Sequence, residues 1–145
     1  MDKEKIAYLA GFFDGEGSIM IVPTFWVSQK KGNRYAYRLH CSACNANPKP
    51  VFLLSDLFGG KVYERPVGKN GVNKVRFLIS YSWSITSWKA LSFLKVVLPY
   101  LIVKKEQAEL AVVFQERKRK EKDKEGLSIV EEAQYILMKN LKKTN

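Results

Sequence analysis

Apolar residues return every three or four positions in some stretches of this chain and every second position in others. The first helical stretch runs from Lys3 to Phe13, where Ile6, Leu9, Ala10 and Phe13 fall on one stripe at the spacing of an amphipathic helix. Asp2 stands where an N-cap belongs. Ala7, Gly11 and Asp14 form a neighbouring stripe of small residues, against which another backbone can approach closely. Two glycines in Asp14-Gly15-Glu16-Gly17 are expected to end the helix through the unusual backbone angles of a C-terminal turn. The period then falls to two. Ser18 to Ser28 and Arg34 to Asn45 read as strands joined by the polar turn Gln29 to Asn33. Lys61 to Val67 and Asn73 to Ser82 read as a second hairpin around Gly68-Lys69-Asn70-Gly71. Arg34, Ala36, Arg38, His40 and Ser42 share a face of the second strand, and Lys74, Arg76, Ser80 and Ser82 a face of the fourth, opposite Val75, Phe77, Ile79 and Tyr81.

Helical periodicity returns over Pro48 to Phe58, closed by Gly59-Gly60, and over Ile85 to Leu98, stopped by Pro99. It returns again from Lys104 to about Lys124, before Gly126. Ser128-Ile129-Val130-Glu131 has the pattern of a capping box, opening a last helix whose apolar face includes Val130, Ala133, Leu137 and Leu141. The order αββαββα with additional C-terminal helices implies an α+β fold: an antiparallel four-stranded sheet with helices on one face and a polar, basic surface on the other. At 145 residues the chain is expected to form one domain.

Charge sharpens this picture. The formal net charge is +11, yet residues 1–16 are net −2 and residues 17–103 net +10, with twelve Lys and Arg against Asp56 and Glu64 alone. The excess therefore belongs to the predicted sheet, where it is interleaved with Phe25, Trp26, Tyr35, Tyr37, Tyr63, Phe77 and Tyr81. Such a basic, aromatic surface is the electrostatic footprint of a polyanion binder, most often of nucleic acid. No apolar run is long enough to span a bilayer, and the N-terminus has no signal-peptide core, so an intracellular protein without a membrane partner is expected.

The stretch Tyr8-Leu9-Ala10-Gly11-Phe12-Phe13-Asp14-Gly15-Glu16-Gly17-Ser18-Ile19 resembles the LAGLIDADG motif of homing endonucleases, and element order and basic hairpins extend the resemblance over roughly the first 115 residues. The resemblance implies a curved DNA-binding sheet and a site-specific endonuclease that hydrolyses both strands of a long pseudo-palindromic duplex with Mg²⁺, a site that Mn²⁺ or Ca²⁺ can also occupy. No organic cofactor is implied. Glu16 takes the metal-binding acid position, with the Gly15 carbonyl as a helper ligand; Asn45 matches the residue that holds the attacking water, Lys49 falls where a basic residue lies near it, and Lys104 matches the active-site Lys. Lys105 could stand in for Lys104. Pro48 and Pro50 beside Lys49 depart from the family pattern. One motif supplies one such acid for a duplex of two strands, so a homodimer through Ala7, Gly11 and Asp14 of the first helix is expected.

For base reading in the major groove, Arg38, His40, Ser42, Lys74, Arg76 and Ser80 are the strongest candidates. Lys30, Lys31, Arg34, Lys69 and Asn70 sit in hairpin tips and suit the phosphate backbone, while Lys61 and Arg65 share a face of the third strand. Cys41 and Cys44 are too few for a zinc site and point to opposite faces of a strand, so both are expected to pack as small apolar residues. Arg117-Lys118-Arg119-Lys120, with acids on both sides, is expected to be a solvated helix face. The rival reading on the same fold is a non-cleaving nucleic-acid binder, such as an RNA splicing maturase or a transcription regulator.

Overall fold

The computed structural model describes residues 2–28, 32–67, 78–120 and 127–143. Lys30, Lys31, Lys69, Asn70, Lys74 and Arg76 lie outside them. The elements run α1 (Lys3–Glu16), β1 (Gly17–Ser28), β2 (Gly32–Asn45), α2 (Pro48–Phe58), β3 (Lys61–Val67), β4 (Leu78–Thr86), α3 (Ser87–Val97), a 3₁₀ turn (Leu98–Tyr100), α4 (Lys105–Lys120) and α5 (Leu127–Lys143). This is the α+β order expected, with the four strands antiparallel in the order β1-β2-β4-β3. No helix among the described residues is long and apolar enough to cross a membrane.

One sheet face meets the helices. Ile19 and Ile21 of β1, Leu39, Cys41 and Ala43 of β2, and Trp83 and Ile85 of β4 are buried there against Leu9, Phe13, Leu54, Phe93 and Leu94. Phe93 is the hub: edge-to-face contacts at 4.9 to 5.1 Å join its ring to Phe13 of α1, Phe58 of α2 and Trp83 of β4. Such pairs stabilise by about 1 kcal/mol each beyond the apolar area they bury. The Trp83 indole also satisfies its one donor, on the Gly59 carbonyl at 2.8 Å.

Three sequence expectations change. The helix expected from Ile85 begins at Ser87 instead, because the period of two continues through Trp83 and Ile85 and both are core residues of β4. The chain turns there through Ser87, whose φ is 53°. Second, α1 runs through Gly15 to Glu16, and Gly17 leaves it in extended conformation at φ −87°, so neither glycine is used for a left-handed turn. Gly17 is required for space: a Cβ would lie 2.2 Å from the Phe13 ring and 2.6 Å from its carbonyl oxygen. Third, α5 does not bury the apolar stripe expected. Glu131, Gln134 and Met138 are buried, while Ala133 and Leu137 are exposed.

That reversal follows from Lys118. In place of a solvated position, its ammonium lies partly buried between α4 and the sheet, donating to the Tyr37 carbonyl at 2.6 Å and pairing with Glu131 at 3.0 Å. The buried Glu131 thus faces inward, and Tyr135 follows it onto the Tyr37 ring at 5.4 Å.

Gly17→Ala is expected to cost about 2 kcal/mol through overpacking against Phe13. Gly60→Ala should cost more, because Gly60 has φ 94° and a Cβ there would stand 2.3 Å from Ile85 and 2.6 Å from the Ser84 carbonyl oxygen. Thermal unfolding checks both: a drop of roughly 5 °C or more is expected, and unchanged melting would contradict the close packing.

Candidate functional site

The site is built at the C-terminal end of α1. Glu16, the last helical residue, is exposed, and no hydrogen bond or ion pair engages its carboxylate among the described residues. Two residues earlier, Asp14 turns its carboxylate onto the chain that leads into α4. Oδ2 accepts from the amides of Ile102 at 2.8 Å and Val103 at 3.0 Å, and Oδ1 from that of Lys104 at 2.9 Å. One side chain thereby satisfies donors at a helix start that would otherwise lack partners. The Lys104 ammonium returns to the backbone oxygen of Asp14, a cation on the negative end of the α1 dipole. Glu16 and Lys104 are thus brought to the same helix end. Asp14, placed with Ala7 and Gly11 from its position on the stripe, directs its carboxylate into its own chain.

Burial alone would raise the Asp14 pKa, but the amides of Val103, Ile102 and Lys104, with the charge of Lys104, outweigh it and hold the carboxyl below its ordinary value. Ala7 and Gly11 remain exposed, and a Cβ added at Gly11 or Gly15 would meet nothing within 4 Å. Next to this small-residue face stand Tyr8, 56% exposed, and Ile102, 85% exposed.

The second part of the site is the sheet face turned away from the helices. The register sets Ser18, Ser42, Ser84 and Lys61 in one row across all four strands, with Met20, His40 and Thr86 in the next. Cys44, Ser82 and Tyr63 follow on the other side, then Ser80 opposite Arg65. Arg38, His40, Ser42, Lys61, Arg65 and Ser80 therefore share this face, and β3, whose register the sequence leaves open, presents Lys61, Tyr63 and Arg65 to it. Arg34 lies within β2, opposite Trp26. Burial and the charges of Arg38 and Lys142 lower the His40 pKa, so its imidazole is neutral at pH 7, with Nδ1 shut from solvent and unpartnered. Cys41 is buried on the helix side, which pushes its thiol well above the ordinary range, whereas Cys44 is exposed on the open face and does not pack as a core residue.

Asn45 ends β2 two residues beyond Ala43, the partner of Gly17, which places it beside the end of α1. Its Oδ1 accepts from the Asn47 amide at 2.8 Å, and Asn47 in turn caps α2 through the Lys49 amide at 3.0 Å. Pro48 and Pro50 fit this start, since first-turn residues have no intrahelical use for an N–H. Lys49 is exposed in that turn. Sequence reasoning missed Met20 and Ser84, which register alone reveals, and Lys142 of α5, whose ammonium reaches Ser18 Oγ at 2.9 Å. Lys142 carried no motif signal; it is 124 residues away in sequence.

This architecture has solved counterparts. The homing endonuclease I-CvuI, in complex with DNA, matches with a TM-score of 0.74 at 21% identity, over 96% of this chain and 82% of that one. The archaeal intron-encoded homing endonuclease I-Vdi141I, complexed with DNA, matches with a TM-score of 0.68 at 20% identity, over 100% and 86%. The meganuclease I-SmaMI, bound to uncleaveable DNA, matches with a TM-score of 0.63 at 18% identity, over 93% of this chain and 43% of its own. No protein-family model matches the chain, and no curated protein sequence does. The chain has the fold of the LAGLIDADG homing endonucleases.

Asp14→Ala is expected to cost about 1–2 kcal/mol at neutral pH, since three amides lose their acceptor. Because the folded pKa lies below the unfolded one, this contribution is present above about pH 4 and is lost as pH falls through the folded value. Denaturant titrations of both proteins should show the gap narrowing in acid; a gap constant down to pH 2 would contradict the clamp.

Proposed function

We propose that the chain is a divalent-metal-dependent endonuclease that binds double-stranded DNA as a homodimer and hydrolyses both strands. The observation that carries this reading is the exposed Glu16 at the end of α1, unpaired among the described residues, at the helix end to which the Asp14 clamp also brings Lys104, and beside a basic antiparallel sheet face. DNA stands in the complexes of I-CvuI and I-Vdi141I, whose fold this chain shares.

Homodimerisation is supported by the outer face of α1. Glycine inside a helix costs about 0.5–1 kcal/mol relative to alanine, and nothing among the described residues lies close enough to Gly11 to require it. A second copy of the same helix gives that smoothness a purpose, with exposed Tyr8, Ile102 and Val103 extending the contact.

The donors present suit a hard cation. The Glu16 carboxylate and the Gly15 carbonyl are oxygen ligands at the negative end of a helix dipole, the chemistry that Mg²⁺ and Ca²⁺ prefer. Among the described residues no three His, Cys, Asp or Glu side chains cluster, so one copy supplies one carboxylate, and a paired copy and the DNA phosphates supply the rest. When bound, the cation lowers the pKa of water and screens charge on the phosphate. Lys104 adds positive charge beside the reacting phosphate, Asn45 offers an amide to orient water, and Lys49 contributes a second cation at the rim. The sheet face reads the duplex, with neutral His40 offering a hydrogen bond in place of a charge.

Glu16→Gln should abolish cleavage of a selected target while leaving DNA affinity within about threefold; retained cleavage would overturn the assignment. Gly11→Leu should keep the chain folded, since the site is open within one copy, yet convert a dimer in sedimentation to a monomer that no longer cuts. A wild type that sediments as a monomer and still cuts both strands would defeat the homodimer.

A further inference from the structure

Lys142 lies in the last turn of α5, far from the motif that builds the rest of the site, yet its Nζ rests on Ser18 Oγ two residues past Glu16. It is delivered there by a helix that is itself fixed, through Lys118 to Glu131 and through Tyr37 to Tyr135. Lys142 is partly withdrawn from water and stands within electrostatic reach of Lys104. Neither ammonium has an ion pair among the described residues: Lys142 sits on a hydroxyl, and Lys104 on a backbone oxygen, with the Asp14 carboxylate offsetting only part of its charge while it accepts from three amides. Neighbouring His40 adds a neutral ring, not a counter-charge.

Two like charges held together, partly desolvated and resting on uncharged oxygens, are unfavourable in the free chain. An anion between them reverses the sign. We propose that Lys142 and Lys104 together form a phosphate clamp at the end of α1, in which Lys142 grips a DNA backbone phosphate next to the one being cut. This rests on the nuclease reading above and adds the C-terminal helix to its site.

The test is fluorescence anisotropy of a selected duplex in Ca²⁺ over a range of KCl concentrations. For Lys142→Gln the slope of log K against log salt should become shallower by about 0.9 per copy, about 1.8 for a dimer. Lys142→Arg should keep the wild-type slope, and Lys95→Gln, which removes a lysine paired with Glu116 at 2.5 Å, should leave it unchanged. A wild-type slope in Lys142→Gln, or an equal change in Lys142→Arg, would overturn the clamp while leaving the nuclease reading intact. Wild-type protein that binds no duplex overturns the nuclease reading itself. Should Lys142→Gln fail to fold, ¹³C-methylated lysines of the wild type, assigned with Lys142→Arg, give a second reading. The Lys142 signal should shift when duplex is added, and a static signal would overturn the clamp.

Discussion

The carboxylate of Asp14 is the contact on which the candidate site depends. Three amides from residues 102–104 converge on it, so the end of α1 and the beginning of α4 cannot drift apart without giving up three charge-assisted hydrogen bonds, the one from Lys104 partly buried. Everything chemical hangs from that joint. Glu16 follows Asp14 by half a turn, Lys104 is the last of the three donors, and Gly17 sends the chain directly into the sheet because nothing larger fits beside Phe13. The Asp14 carboxylate is thereby consumed in structure, and among the described residues of this helix end Glu16 is left as the acid open to a ligand.

The sheet separates two tasks by the alternation of side chains. One face is cemented to the helices by Trp83, Phe93 and the residues around them. The other carries serines, His40 and the cations Arg38, Lys61 and Arg65 in register across the strands. Part of the chain's net charge of +11 is thereby concentrated on one surface. α5 links the two faces: its buried half is tied to the core by Lys118 and Glu131, and its final turn carries Lys142 to Ser18 at the edge of the open face.

Much of this was legible in the sequence, and the reasons differ by element. The stripe Ile6, Leu9, Ala10 and Phe13 and the span of α2 between Pro48 and Gly59 could be read directly, because local periodicity and punctuation agree with the packing. The boundary between β4 and α3 could not, since Ile85 fits both an alternating strand and the first turn of a helix, and only pairing with Cys41 decides. The face of α5 was misread because its buried side is polar, satisfied by a lysine on another helix that periodicity cannot see. Glu16 was legible through a dense local motif. The role of Asp14 as a clamp, and the presence of Lys142, depend on partners about 90 and 124 residues away, which no local signal encodes.

The central claim is that the end of α1 is the cleaving centre of a symmetric DNA-binding assembly. Selection of cut molecules from a randomised duplex library, with Mg²⁺ and with chelator, tests it most directly. The account predicts double-strand breaks, recovered only with the cation, at long sites whose two halves are related by near-palindromic symmetry. Recovery of bound sequences that are never cut, or of cut sites indifferent to the cation, would contradict it.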